Sequence, residues 1–142
     1  MIRIGINGFG RIGKLVFRAS LTNPKVKVVA INDLMNIDQL AYLLKYDSTH
    51  GVLDEEVEVG ENSIKIKGNS IRVSSKPNPK DIDWKSINAN YIVESTGLFL
   101  TTELVHPHFI AGAKKVIISA PVKDDTPMFV FGVNHKDYDP NM

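Results

Sequence analysis

Ile2-Arg3-Ile4-Gly5-Ile6-Asn7-Gly8-Phe9-Gly10-Arg11-Ile12-Gly13 decides the reading of this chain. A short run, apolar apart from Arg3, enters a G-x-G-x-x-G turn, and a helical pattern follows. Ile2 to Asn7 reads as a strand covered on both faces of a parallel sheet. Gly10 to Ser20 reads as a helix whose apolar face is Ile12, Leu15, Val16 and Ala19, recurring at three- and four-residue steps. Asn23-Pro24 stops it. A second apolar run, Val26 to Ile31, ends at Asn32-Asp33, which puts an acid twenty residues beyond Gly13. A glycine turn alone is a weak signal. With a strand before it, a helix after it and an acid at that distance, it points to a site for the pyrophosphate and ribose of a dinucleotide.

Each residue type suits that ligand. Gly8 permits the tight turn, Gly10 lets a pyrophosphate approach the backbone, and Gly13 lets the helix pack close to the strand. The amides of Arg11 and Ile12 open the helix without internal partners and can bond a pyrophosphate oxygen at the positive end of the helix dipole. The Arg11 side chain has two readings, an added charge at the phosphates or a solvated first-turn arginine. The Asp33 carboxylate can accept hydrogen bonds from ribose hydroxyls and would repel a 2′-phosphate. Leu34 and Met35 follow it in place of a neutralising arginine, so NAD is favoured over NADP. The plainer reading of Asp33 is a turn cap. Ser95-Thr96-Gly97 and Ser119-Ala120-Pro121 both end apolar strands, where small residues can border a nicotinamide ring or simply terminate the strand.

The rest of the chain extends the pattern. Asp38 is expected to cap a helix carrying Leu40, Ala41, Leu43 and Leu44. Alternation over Glu55 to Val59, Ile64 to Lys67 and Ile71 to Val73, around Gly68-Asn69, predicts antiparallel strands and a hairpin. Lys76-Pro77-Asn78-Pro79 is a rigid loop. Further strands are predicted at Tyr91 to Glu94, Lys115 to Ala120 and Met128 to Val133. A helix over Thr101 to Ala111 contains Pro107, so it is either bent or starts late. Gly112 ends it, which places Lys114-Lys115 at its C-terminus. Trp84, Phe9, Phe99 and Phe129 are expected in the core. Asp47, Asp54 and Glu94 suggest no acid–base pair, and the histidines read as surface or packing residues.

The 142 residues suit one domain, with 43% hydrophobic and 23% charged residues. A formal net charge of +1 offers no basic footprint for nucleic acid. The absence of cysteine excludes a disulfide, a thiolate metal site and a thiol nucleophile within these residues. His50, His106, His108 and His135 lack metal-ligand spacing, so no metal site is expected. Apolar runs are too short to span a membrane. The chain enters its first strand at once, which leaves no room for a signal peptide and sets a cytoplasmic location as the expectation. It stops at Asp139-Pro140-Asn141-Met142, soon after a predicted strand and with no closing helix, so its tail reads as cut.

At this level of detail a family resemblance emerges. Ile6 to Gly13, Ala30 to Leu34, Leu44 to Gly51, Glu94 to Gly97, Gly112 to Val116, Ile118 to Pro121 and Pro127 to His135 together resemble, in order, the NAD-binding domain of phosphorylating glyceraldehyde-3-phosphate dehydrogenases. The resemblance implies an α/β, Rossmann-like doubly wound fold, with a mostly parallel sheet, an antiparallel hairpin insertion and one domain over residues 1–142. It implies oxidation of glyceraldehyde 3-phosphate with NAD and inorganic phosphate by a cytoplasmic homotetramer. It assigns Arg11 and Ile12 to the pyrophosphate, Asp33 to the adenine ribose, and Ser95, Thr96, Gly97 and Ser119 to the surroundings of the cofactor. Asn7, Gly8 and Gly10 join them from the opening turn. Pro77 stands where the family commonly has the arginine of Glu-Arg-Asp-Pro, and keeps the backbone carbonyl that meets adenine there. Pro107 is expected to distort its helix.

The family's catalytic cysteine, in a Ser-Cys-Thr-Thr-Asn stretch, its histidine, the arginine and threonine phosphate sites and a returning C-terminal helix are expected beyond Met142. There a thiolate attacks the aldehyde, the thiohemiacetal gives hydride to nicotinamide, and phosphate resolves the thioester. No catalytic residue is therefore assigned within 1–142, and the chain alone is expected not to turn over. The missing helix implies an uncovered apolar face and self-association. The related erythrose-4-phosphate dehydrogenase, or a stand-alone dinucleotide-binding or interaction module, are the alternatives.

Overall fold

The computed structural model describes residues 1–141. Strand β1 (Ile2–Asn7) leads through the glycine turn into α1 (Arg11–Ser20), β2 (Val26–Asn32) and α2 (Ile37–Lys45). A small two-stranded ribbon follows, β3 (Tyr46–Asp47) and β4 (Gly51–Val52). Then come β5 (Val57–Val59), β6 (Ser63–Ile66), β7 (Asn69–Ser74), β8 (Tyr91–Glu94), α3 (Thr102–Ile110) and β9 (Lys115–Ile118).

The main sheet runs β5-β6-β7-β2-β1-β8-β9. Pairings from β7 through β9 are parallel, and β5-β6-β7 are antiparallel. This is the doubly wound, mostly parallel sheet with a hairpin insertion that the sequence implies. Strand β7 serves both halves, since it closes the hairpin with β6 and pairs parallel to β2. From β1 the chain crosses to β2 on one side and later returns to β8 on the other, so the strand order reverses between β1 and β8. Ligand crevices in such sheets open at the carboxyl ends of the strands at that reversal.

The two faces are packed differently. Phe17 of α1, Leu40 and Leu44 of α2, Ile6, Ile31 and the hairpin residues Ile64, Ile66 and Ile71 form one cluster. Trp84, Ile82, Ile92 and the alanines Ala30, Ala89, Ala111 and Ala113 form the other. Small residues surround one large ring there. Gly5 belongs to the same fit, because a Cβ on it would lie 2.6 Å from the Trp84 ring.

Several sequence expectations change in detail. Helix α1 buries Gly13 and Phe17, with Val16 half-buried, while Ile12 and Ala19 are exposed. Helix α2 is capped by Asn36, whose side chain accepts from the Asp38 amide. The hairpin turn is Lys67-Gly68, with φ of 53° and 76°, in place of Gly68-Asn69. Both turn residues in the left-handed region match the twist of the flanking strands. Helix α3 starts at Thr102, capped by Thr101, and runs through Pro107. The late start is thereby ruled out, and the carbonyl deprived of a partner by the proline belongs to exposed Glu103. Lys115 opens β9 and Lys114 precedes it, so neither lies in the last helical turn.

Met128 to Val133 is not a strand. The Asn134 side chain accepts from the Val130 amide and donates to the Met128 carbonyl, which curls the segment onto itself. Its apolar residues are exposed, Phe129 included, and Phe131 stacks on His135 with ring centroids 4.4 Å apart. Phe99 is half-buried, whereas Phe9 and Trp84 lie in the core.

Candidate functional site

The carboxyl ends of four adjacent parallel strands carry Ser74, Asn32, Asn7 and Glu94 in register. Their side chains join into one row. The Ser74 hydroxyl donates to Asn32 Oδ1 at 2.8 Å, Asn32 Nδ2 to Asn7 Oδ1 at 2.9 Å, and Asn7 Nδ2 to Glu94 Oε1 at 2.6 Å. Asn7, Asn32 and Glu94 are buried, and burial of such groups is tolerated only when they are bonded. Asn32 also clamps Lys76, accepting from its amide and donating to its carbonyl, which fixes the loop that presents exposed Pro77.

Above this row lies the glycine turn. Gly8 has φ of +91°, and a Cβ there would stand 2.7 Å from the Thr96 nitrogen. A Cβ on Gly13 would strike the Gly8 carbonyl oxygen. Gly10 differs. Its φ is −76°, available to any residue, and a Cβ on it would meet nothing within 4 Å. Helix α1 begins without a side-chain cap, and among the described residues the amides of Gly10, Arg11, Ile12 and Gly13 have no partner. Four unsatisfied donors at a helix N-terminus, beside an unfilled space, suit an anionic group with several oxygens.

Asp33 faces this turn. Its Oδ2 accepts from the Phe9 amide at 2.6 Å, and its Oδ1 accepts from the Met35 amide at 2.8 Å. The turn-cap reading is thus true of one oxygen. A carboxylate offers about four acceptor positions, so two remain for hydroxyl donors.

The hydroxyls at the strand ends are all turned inward. Ser95 donates to the Gly8 carbonyl at 2.5 Å, Thr96 to Glu94 Oε2 at 2.7 Å, and Ser119 to the Glu94 carbonyl at 3.2 Å. Their donors are spent holding the floor together, and what they offer the crevice is small size. Gly97, with φ of +77°, is exposed, and a Cβ there would meet nothing within 4 Å.

Arg11 is exposed, yet its guanidinium is engaged by a carboxylate. Its guanidinium pairs with Asp47 at 2.9 Å. The amides of His50 and Thr49, followed by Arg11, hold the Asp47 carboxyl well below the usual aspartate range. Arg18 donates to the carbonyls of Leu44, Lys45 and Gly51, so two arginines of α1 fasten the β3–β4 ribbon beside the turn.

The network beneath Glu94 escaped the sequence reading. His108 is fully buried, with Nε2 2.9 Å from Glu94 Oε1 and Nδ1 3.0 Å from the Trp84 indole nitrogen. The indole N–H can only donate. His108 Nδ1 therefore accepts, and Nε2 carries the proton donated to Glu94. The one available signal was Glu94 itself, an acid closing an apolar strand whose centre must be covered on both faces.

Fold and site together define a dinucleotide-binding domain of the Rossmann type. A family profile described as "Glyceraldehyde 3-phosphate dehydrogenase, NAD binding domain" matches residues 2–102. The chain is 53% identical over 138 residues to the cytosolic glyceraldehyde-3-phosphate dehydrogenase of Leishmania mexicana, covering 97% of this chain and 42% of that protein. It is 52% identical over 140 residues to the Bacteroides fragilis enzyme, again covering 97% and 42%. It is 49% identical over 137 residues to glyceraldehyde-3-phosphate dehydrogenase A of Escherichia coli strain K12, covering 96% and 41%. The chain belongs to the glyceraldehyde-3-phosphate dehydrogenase family, as its NAD-binding domain, and its cofactor is NAD. It spans about 42% of the length of these relatives. Their shared name does not favour the erythrose-4-phosphate alternative.

Proposed function

We propose that residues 1–142 form one NAD-binding domain, and that the whole protein oxidises glyceraldehyde 3-phosphate with NAD and inorganic phosphate as a cytosolic homotetramer. The observation that carries the reading is the Asp33 carboxylate bonded to the Phe9 amide inside the glycine turn. It sets an acceptor for ribose hydroxyls next to the unpaired amides of α1. Arg11 and Ile12 hold the pyrophosphate through their amides, with Gly8 and Gly10 shaping the approach. The Pro77 carbonyl meets adenine. Asn7 works from below, through Asn32 and Glu94, and Ser95, Thr96, Gly97 and Ser119 leave room for the nicotinamide ring. Bound NAD supplies the hydride acceptor. These residues bind and orient it, and the thiol nucleophile lies outside them, since none of the 142 residues is cysteine. The 142-residue chain gives no turnover by itself.

Calorimetric titration with NAD and NADP tests the reading. NAD binds more tightly than NADP, because a 2′-phosphate would meet the Asp33 charge. Asp33→Ala weakens NAD roughly 10- to 100-fold, the equivalent of a hydrogen bond to a charged group, and narrows the discrimination. Equal affinity for the two cofactors, unchanged in Asp33→Ala, overturns it.

A further inference from the structure

We infer that His108, on the opposite side of the sheet from α1, is a positioning residue for the dinucleotide site and acts through Glu94; this rests on the functional reading above. The argument is one of direction. Ser74, Asn32 and Asn7 pass their donors along the strand ends toward Glu94 from one side. Trp84 and His108 pass theirs toward it from the other. Thr96 adds its amide at 3.0 Å and its hydroxyl at 2.7 Å. Three of the four donors reaching the Glu94 carboxylate thus come from groups that border the crevice or hold its floor. The fourth is His108.

Its removal has a defined consequence. Glu94 Oε1 is shared between His108 and Asn7, and Oε2 belongs to Thr96. Without the imidazole the buried carboxylate is left short of a donor, a costly state in a low-dielectric interior. The carboxylate can recover only by moving toward water or toward its remaining donors. Either movement carries Asn7 or Thr96 with it. Asn7 underlies Gly8, since its carbonyl accepts from the Ser95 amide, and Ser95 in turn holds the Gly8 carbonyl. The glycine turn and the Thr96-Gly97 loop therefore share one support, and His108 sets where that support sits. Trp84 completes the arrangement by holding Nδ1 as an acceptor, so that the proton stays on the nitrogen facing Glu94.

The test pairs two variants with a measurement on the unmodified chain. His108→Leu fills most of the volume but cannot donate. His108→Gln can present an amide N–H near the position of Nε2. NAD affinity falls about tenfold in His108→Leu and stays within about twofold of the parent in His108→Gln. Amide hydrogen exchange at Thr96 accelerates in His108→Leu alone. In the unmodified chain, the His108 Nε2–H resonance shifts when NAD is added, which decides the matter even if His108→Leu does not fold. Equal losses in both variants, unchanged exchange at Thr96, or a still resonance under calorimetrically saturating NAD each overturn the inference. Absence of NAD binding by the unmodified chain overturns the functional reading instead, and the exchange comparison then judges the coupling between His108 and Thr96 by itself.

Discussion

The underside and the outer side of the glycine turn are opposites. Below, Gly8 and Gly13 are glycine because neighbouring atoms leave no room for a Cβ, and polar groups there are bonded to Asn7, Asn32, Glu94 or Ser95. Above, Gly10 has ordinary dihedrals and open space, and the amides beside it are unpaired. Folding accounts for everything below. It does not call for glycine at position 10, where under the proposed function the pyrophosphate approaches the backbone. The contrast separates glycines closed in by the fold from one left open by it, even though all three belong to one six-residue motif.

The largest effect is expected where the comparison is broken from below. Gly8→Ala combines a left-handed conformation with a collision against the Thr96 backbone, and costs about 3 kcal/mol of stability, measured by urea unfolding. A change near zero would mean that the underside is not as closed as its distances indicate. Gly10→Ala sharpens the comparison from above. Stability stays within about 0.5 kcal/mol or rises slightly, because the unfolded chain loses freedom that the folded chain does not use. NAD affinity in the same variant falls at least about tenfold, by calorimetry. Loss of stability without loss of affinity would reverse the assignment.

The smallest effect concerns the flank. Asp47 is depressed by the His50 and Thr49 amides and by Arg11. A carboxyl lowered by folding contributes stability that is complete above the ordinary aspartate range, and loses it as pH falls through and below that range. Acid therefore loosens the β3–β4 ribbon from α1. Protection of the Thr49 and His50 amides, relative to the intrinsic exchange rate at each pH, falls as the pH drops below about 4, and Asp47→Asn removes most of that pH dependence. An Asp47 carboxyl that titrates at the ordinary value excludes the effect.

Much of this architecture could be read before any coordinates. Strands β1, β2 and β8, the turn between β1 and α1, and the hairpin follow from runs of apolar residues and from their interruption. The failures share a cause. Phe17 takes the place expected of Ile12 and Ala19 because the glycine turn fixes how α1 is rotated over the sheet, and that rotation is set by tertiary contact. Met128 to Val133 has strand-like residues, but a local bond from Asn134 decides its shape. At the site, Asp33 and the glycines declare themselves by spacing. Ser95, Thr96 and Ser119 were placed at the crevice, yet the direction of each hydroxyl depends on a carbonyl or carboxylate brought close by strand pairing. His108 was beyond reach, since its partner lies fourteen residues away in the chain, on another element.

Trp84 is the only tryptophan in the chain, fully enclosed, with its indole hydrogen held by His108. Light absorbed at the red edge of the aromatic band therefore excites a single ring at one known address. Its emission needs no unmixing and no attached dye. The 142-residue chain comes with an optical gauge already mounted at the far terminus of the hydrogen-bonded row that runs beneath the cofactor crevice.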